Sequence, residues 1–207
     1  MSEQFGIGLS NAIERAAAPG MEYAEVRFEP GGIEPGLIEQ AGFSPAQETF
    51  PNGTHVCELE VDPDTGTIEL LEYTVVDDVG NAINPLTLEG QVVGGIVQGL
   101  GQILMEQIVY DADSGQLLTA SFMDYAMPRA GDLCNFQVAH NAVPTKLNPL
   151  GAKGAGEAGT VGALAAAMNA IVDALGTGDI EMPTTPERVW QALRKKGAPT
   201  APLVNSP

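Results

Sequence analysis

A chain of 207 residues, 44% of them hydrophobic, is long enough to bury a core and too apolar to be a disordered segment. Its 27 acidic against 9 basic residues leave a formal net charge of −18, which argues against nucleic acid or an anionic membrane surface as partner, since both require basic surface. The two cysteines, Cys57 and Cys134, and two histidines, His55 and His140, are too few and too scattered for an iron–sulfur or structural zinc site, so no protein-held metal is expected.

No run of about 18 apolar residues stands out, and membrane insertion is not expected. The first residues, Met-Ser-Glu-Gln-Phe-Gly, lack a charged-then-apolar leader, so the expected location is cytoplasmic. Leu9 to Ala17 reads as a short amphipathic helix ending near Pro19-Gly20. Residues 30–53, with Pro30-Gly31-Gly32, Pro35-Gly36 and Pro51-Asn52-Gly53, read as a long irregular segment. Such segments are functional, linkers, or packed on something else.

Alternation begins at residue 55. His55, Cys57, Leu59 and Val61 interleave with Val56, Glu58 and Glu60, a strand pattern. Asp62-Pro63-Asp64-Thr65-Gly66 marks a turn and residues 67–78 a second strand, together a β-hairpin. Asp77 and Asp78, like Asp111 and Asp113, sit in turn-like contexts without the spacing of a calcium loop.

Leu88 to Met105 predicts a helix. At 100° per residue Gln91, Gln98 and Gln102 fall within about 20° of one line, flanked by Gly94, Gly95, Gly99 and Gly101. Val93, Ile96, Val97, Leu100, Ile103 and Leu104 lie opposite. A face of amides and glycines suits either a polar group approached closely or a second helix packed through small residues. A further strand pair is expected at 107–110 and 116–121, around the turn 111–115, and another strand at 136–142. Thr160 to Leu175 predicts a helix stopped by Gly176, and Thr185-Pro186-Glu187 opens a last one running to about Lys196.

The run Gly151-Ala-Lys-Gly-Ala-Gly-Glu-Ala-Gly-Thr160 holds one carboxylate, Glu157, and one ammonium, Lys153, among four glycines ahead of a helix. Glycine backbone and a helix start together expose N–H groups to a ligand. Glu157 is open to three readings: a carboxylate near a helix N-terminus, a partner of Lys153, or a general base in a glycine-lined pocket.

Four segments resemble one family. They are Pro51-Asn-Gly-Thr-His-Val-Cys-Glu-Leu-Glu-Val-Asp-Pro-Asp-Thr-Gly66, Val76-Asp-Asp-Val-Gly-Asn-Ala-Ile-Asn-Pro85, Glu89-Gly-Gln-Val-Val-Gly-Gly-Ile-Val-Gln-Gly-Leu-Gly-Gln102 and Asn148-Pro-Leu-Gly-Ala-Lys-Gly-Ala-Gly-Glu-Ala-Gly-Thr160. With Ser121–Arg129 they are similar to the C-terminal part of the molybdopterin-binding large subunit of the xanthine dehydrogenase/aldehyde oxidase family. The branch is that of the aerobic carbon monoxide dehydrogenase large chain. The match spans residues 45–195, a molybdopterin-binding domain; residues 1–44 match weakly and 196–207 form a tail.

The resemblance implies an α+β fold of antiparallel hairpins packed with helices. It implies that Glu157 stands beside the molybdenum as the base toward its hydroxyl, and that Gln98 and Gly99 and the stretch Lys153, Gly154, Ala155 and Gly156 approach the cofactor. Lys153 is expected to be structural or pterin-proximal rather than catalytic. The cofactor implied is molybdopterin, in its cytosine dinucleotide form if the source is bacterial. The reaction implied is hydroxylation of an aldehyde or N-heterocycle, or oxidation of carbon monoxide, with oxygen taken from water. The alternative is a non-catalytic assembly module of such a complex. Family catalytic subunits are several times longer, so the partners implied are the remaining part of the molybdenum subunit, iron–sulfur and FAD subunits and a small-molecule substrate. The amide-and-glycine face of the helix at 88–105 then reads as cofactor-facing.

Overall fold

The computed structural model describes residue 44 and residues 47–196. The helix expected at 9–17 and most of the irregular stretch at 30–53 lie outside these residues. Strands β1 (Asn52–Val61) and β2 (Ile68–Asp78) form the expected hairpin, β1 starting three residues early. Helix α1 (Pro85–Leu104), strand β3 (Phe136–His140), helix α2 (Ala158–Leu175) and helix α3 (Pro186–Lys196) follow.

The hairpin is antiparallel and its turn is held by Asp62, whose carbonyl accepts from Gly66 N at 2.8 Å and whose carboxylate accepts from Asp64 N and Thr65 Oγ1. Register slips by one residue between Glu58 and Leu59. That bulge explains why the buried positions of β2 run Leu70, then Tyr73, Val75 and Asp77: an extra residue flips the alternation. Glu58, Glu60, Glu69 and Glu72 all face water, which leaves one face of the sheet for the core.

β3 lies beside β2 in parallel, so the sheet is mixed, in the order β1-β2-β3. The expected α+β fold, an antiparallel hairpin packed with helices, is present, and β3 adds one parallel strand to it. β3 is reached through a long excursion over 105–135, which allows a parallel return that a tight turn cannot. Within that excursion the expected strand pair shrinks to one bridge, Tyr110 with Leu117. Ile108, Tyr110 and Leu118 are exposed, so no layer packs on them to sustain a ladder.

α1 opens on Asn84, whose side chain accepts from Thr87 N at 3.3 Å, with Pro85 in the first turn. α2 closes on Gly176 at φ 60°, a left-handed cap that favours glycine. α1 and α2 pack on each other and on the inner face of the hairpin, around Tyr73, Val75, Val92, Ile96, Leu100 and Ile171. By length and a mean hydropathy of 1.5, α2 is an 18-residue apolar span, which the composition reading overlooked. It is amphipathic in place, with Ala163, Ala167, Ile171 and Leu175 in the core and Asn169 and Asp173 exposed, so it is a core helix.

The buried face of α1 is Val92, Gly95, Ile96, Gly99, Leu100, Gly101 and Ile103. Gly95 and Gly99 therefore belong to the packed side. A Cβ on Gly99 would lie 2.9 Å from that of Ala163, and one on Gly159 would lie 2.3 Å from the Val92 carbonyl oxygen. These glycines let two backbones touch, and of the α1 glycines Gly90 and Gly94 face open space. The amide-and-glycine surface is thus two surfaces, a helix contact and, beside it, a flank of glutamines.

Candidate functional site

Where the N-terminus of α2 meets the start of β1 and the end of β2, a cleft of about 520 Å³ opens. Its walls are residues 49–53 on one side and Gly154, Gly156, Glu157 and Ala158 on the other, with His55, Asp77, Val161 and Gly162 between. Glu157 occupies the N-cap position of α2 and is exposed, but its carboxylate makes no capping bond. Lys153 does not pair with it either: the Lys153 ammonium contacts Asp78 Oδ2 at 2.5 Å. The pairing with Lys153 is overturned, and the carboxylate stands at the cleft rim near the positive end of the α2 dipole, which fits both the helix-end reading and the general-base reading.

Gly154 and Gly156 have nothing within 4 Å of where a Cβ would stand, so their backbone is open to close approach from the cleft. The Gly156 carbonyl accepts from Gln91 Nε2 at 2.8 Å. Gln91 is therefore the α1 glutamine that touches the glycine loop. Gln98 stands two turns further along, exposed, with its carboxamide oxygen 3.5 Å from Thr160 Oγ1. Gly99 points into the α1–α2 contact and Ala155 is half-buried in the loop.

His55 and Asp77 stand at the cleft floor and the buried Tyr73 meets His55, an arrangement to which the sequence assigns no role. His55 Nδ1 lies 2.8 Å from the Tyr73 hydroxyl and its Nε2 lies 3.4 Å from Asp77 Oδ1. A Cβ on Gly162 would come within 2.4 Å of the His55 ring, so the imidazole is pressed flat on α2. Burial, then Cys57 and Asp77, push the Tyr73 phenol above its ordinary pKa. Asp77 is 2% exposed and its Oδ2 is buried without a hydrogen-bond partner. The signal was present in sequence: two carboxylates closing an apolar strand. Asp77 and Asp78 are the last paired residues of β2, which ends at 78 as expected, so their context is the strand end rather than the turn beyond it.

Asp78 is the better satisfied of the two. Its Oδ1 accepts from Gly80 N at 2.9 Å and Val143 N at 3.0 Å, and its Oδ2 accepts from Lys153 Nζ and, at 3.4 Å, Asn52 Nδ2. The Lys153 hydrogen bond, then those backbone donors, hold its carboxyl far below the ordinary carboxylate range. Among the described residues no three His, Cys, Asp or Glu side chains converge. An exposed glycine backbone, a helix N-terminus, nearby amides and an orphaned buried carboxylate oxygen fit a large polar cofactor completed from another direction.

A family model described as a molybdopterin cofactor-binding domain matches residues 3–134. The chain is 40% identical over 168 residues to the nicotine 6-hydroxylase large subunit of Paenarthrobacter nicotinovorans, covering 80% of this chain and 20% of that protein. It is 35% identical over 169 residues to the carbon monoxide dehydrogenase large chain of Hydrogenophaga pseudoflava, covering 80% and 21%. Among solved structures, the Cu,Mo-CO dehydrogenase in its carbon monoxide reduced state superposes with a TM-score of 0.72 at 35% identity, covering 81% of this chain and 21% of that one. The chain thus spans about a fifth of the length of these relatives.

Proposed function

Because the chain belongs to the molybdopterin cofactor-binding domain family, among the large subunits of the xanthine dehydrogenase and carbon monoxide dehydrogenase group, we propose that it forms the glutamate-bearing wall of a molybdenum hydroxylase active site. The observation that carries this reading is Glu157: an exposed carboxylate without a capping bond, at the mouth of a cleft, on a glycine loop whose only ammonium is engaged elsewhere. Such a carboxylate is free to accept a proton from a group in the cleft.

Molybdopterin, when bound, supplies the redox centre and the site of oxygen transfer. This chain supplies position and a base. Gly154 and Gly156 admit the cofactor to the backbone, Ala155 and the Lys153 backbone complete that edge, and Gln98 is the more distant amide. Gly99 contributes by bringing α1 against α2. Glu157 Oε would accept the proton that a water or hydroxide in the cleft gives up in becoming the oxygen nucleophile. A substrate drawn from aldehydes, N-heterocycles or carbon monoxide, the cytosine dinucleotide form of the cofactor, a cytoplasmic location and iron–sulfur and FAD partner subunits belong to the same proposal. Asp77 Oδ2, buried and unpaired, supports a site completed by polypeptide beyond the described residues.

The test is Glu157→Gln in the reconstituted enzyme. Turnover is expected to fall by roughly 10²–10⁴-fold, the contribution of a positioned base, with molybdenum content retained. Full turnover in that variant would leave the chain a structural module of the complex.

A further inference from the structure

Loop 151–157 is fixed unevenly. Up to Lys153 its backbone is stitched to the residues after β2: Asn81 N donates to the Gly151 carbonyl at 3.0 Å, and Lys153 N to that of Val79 at 2.8 Å. Asn81 Nδ2 adds a bond to the Leu150 carbonyl at 2.9 Å. Beyond Lys153, the span 154–156 is held by the Gln91 bond to Gly156 alone before α2 begins. Lys153 is the last firm point ahead of Glu157.

That firm point rests on Asp78. Its carboxylate gathers donors from the start of β1 (Asn52), the β2–α1 connection (Gly80), the segment after β3 (Val143) and the glycine loop (Lys153). The pair is nearly buried, with side-chain exposures of 13% for Lys153 and 10% for Asp78. A charge-assisted bond at this depth is little screened by solvent. Cutting it also strands an anion among neutral donors.

We infer that Asp78 and Lys153 are positioning residues, a clamp that sets where the loop delivers Glu157. The role of Glu157 is that of the reading above; the clamp itself is measured without it. In a chain with three times as many acidic as basic residues, the one ammonium beside Glu157 is spent on Asp78. The clamp therefore holds the loop still while keeping its cation off the carboxylate that it positions.

The experiment follows backbone amides by NMR in the full chain, comparing Lys153→Met, Lys153→Arg and Asp78→Asn with the parent. In Lys153→Met and Asp78→Asn, exchange at Asn81 and Lys153 is expected to rise about tenfold or more, as for loss of a charged hydrogen bond. Amide shifts over 154–158 should move with it, while the β1–β2 ladder keeps its protection. Lys153→Arg should restore both signatures. Unchanged exchange and shifts in folded variants would overturn the clamp. So would a uniform rise across the hairpin, or failure of both Lys153→Met and Asp78→Asn to fold, since either makes the pair a support of the whole domain. Failure of the Glu157 reading shows instead as full turnover in Glu157→Gln, a separate measurement.

Discussion

Adjacent carboxylates at the end of β2 differ sharply in their hydrogen-bond partners. Asp78 accepts four hydrogen bonds and its carboxyl is held far below the ordinary range, chiefly by Lys153. A folded pKa below the unfolded one gives stability that is present above the unfolded value, 3.8, and lost as pH falls below it toward the folded value. The urea midpoint of the parent should therefore drop as pH is lowered past that range, and the slope should flatten in Asp78→Asn. An unchanged slope in the variant would mean that other carboxylates carry the acid sensitivity. Asp77 has His55 alone, at 3.4 Å, and one oxygen with no partner. Cys57, also inward on β1, is pushed up to about 11 by burial and then by Cys134, which matches an inert core thiol rather than a reactive one.

At the scale of elements, the α1–α2 contact decides where the helix N-terminus points. Gly159 meets the Val92 carbonyl and Ile96 N, and Gly95 meets Thr160, whose hydroxyl donates to the Gly95 carbonyl at 3.0 Å. Glycine in a helix costs about 1 kcal/mol relative to alanine, and close approach offsets it here. The same substitution should therefore change sign with position. Gly159→Ala is expected to destabilise by about 1–3 kcal/mol through overpacking, despite its better propensity. Gly94→Ala, with nothing within 4 Å, should stabilise by about 0.4–1 kcal/mol. Chemical denaturation of the two variants checks this; equal effects would mean that the helices part at little cost.

On the proposal above, the whole molecule is one wall of a larger site. The cleft is open, the excursion over 105–135 carries exposed Ile108, Tyr110, Leu118, Phe122 and Met123, and the chain spans about a fifth of its relatives. Purified alone, it is expected to bind molybdopterin weakly or not at all. Metal analysis of the isolated chain is the check, and stoichiometric molybdenum would show that this wall suffices.

Local chemistry made much of this legible in sequence. Alternation marks β1 and β2, Thr185-Pro186 and Gly176 mark helix ends, and four glycines around one carboxylate mark the loop of Glu157, whereas the start of α1 at Asn84-Pro85, three residues ahead of the expected Leu88, does not stand out. Those signals depend on a few consecutive residues, so they survive without tertiary context. What Gly95 and Gly99 face, which glutamine touches the loop, the parallel pairing of β3 and the partnership of Lys153 with Asp78, 75 positions apart, were decided by packing. A helical wheel gives direction around an axis but not what lies there. Only the folded chain shows that Lys153 turns to Asp78 and leaves Glu157 free.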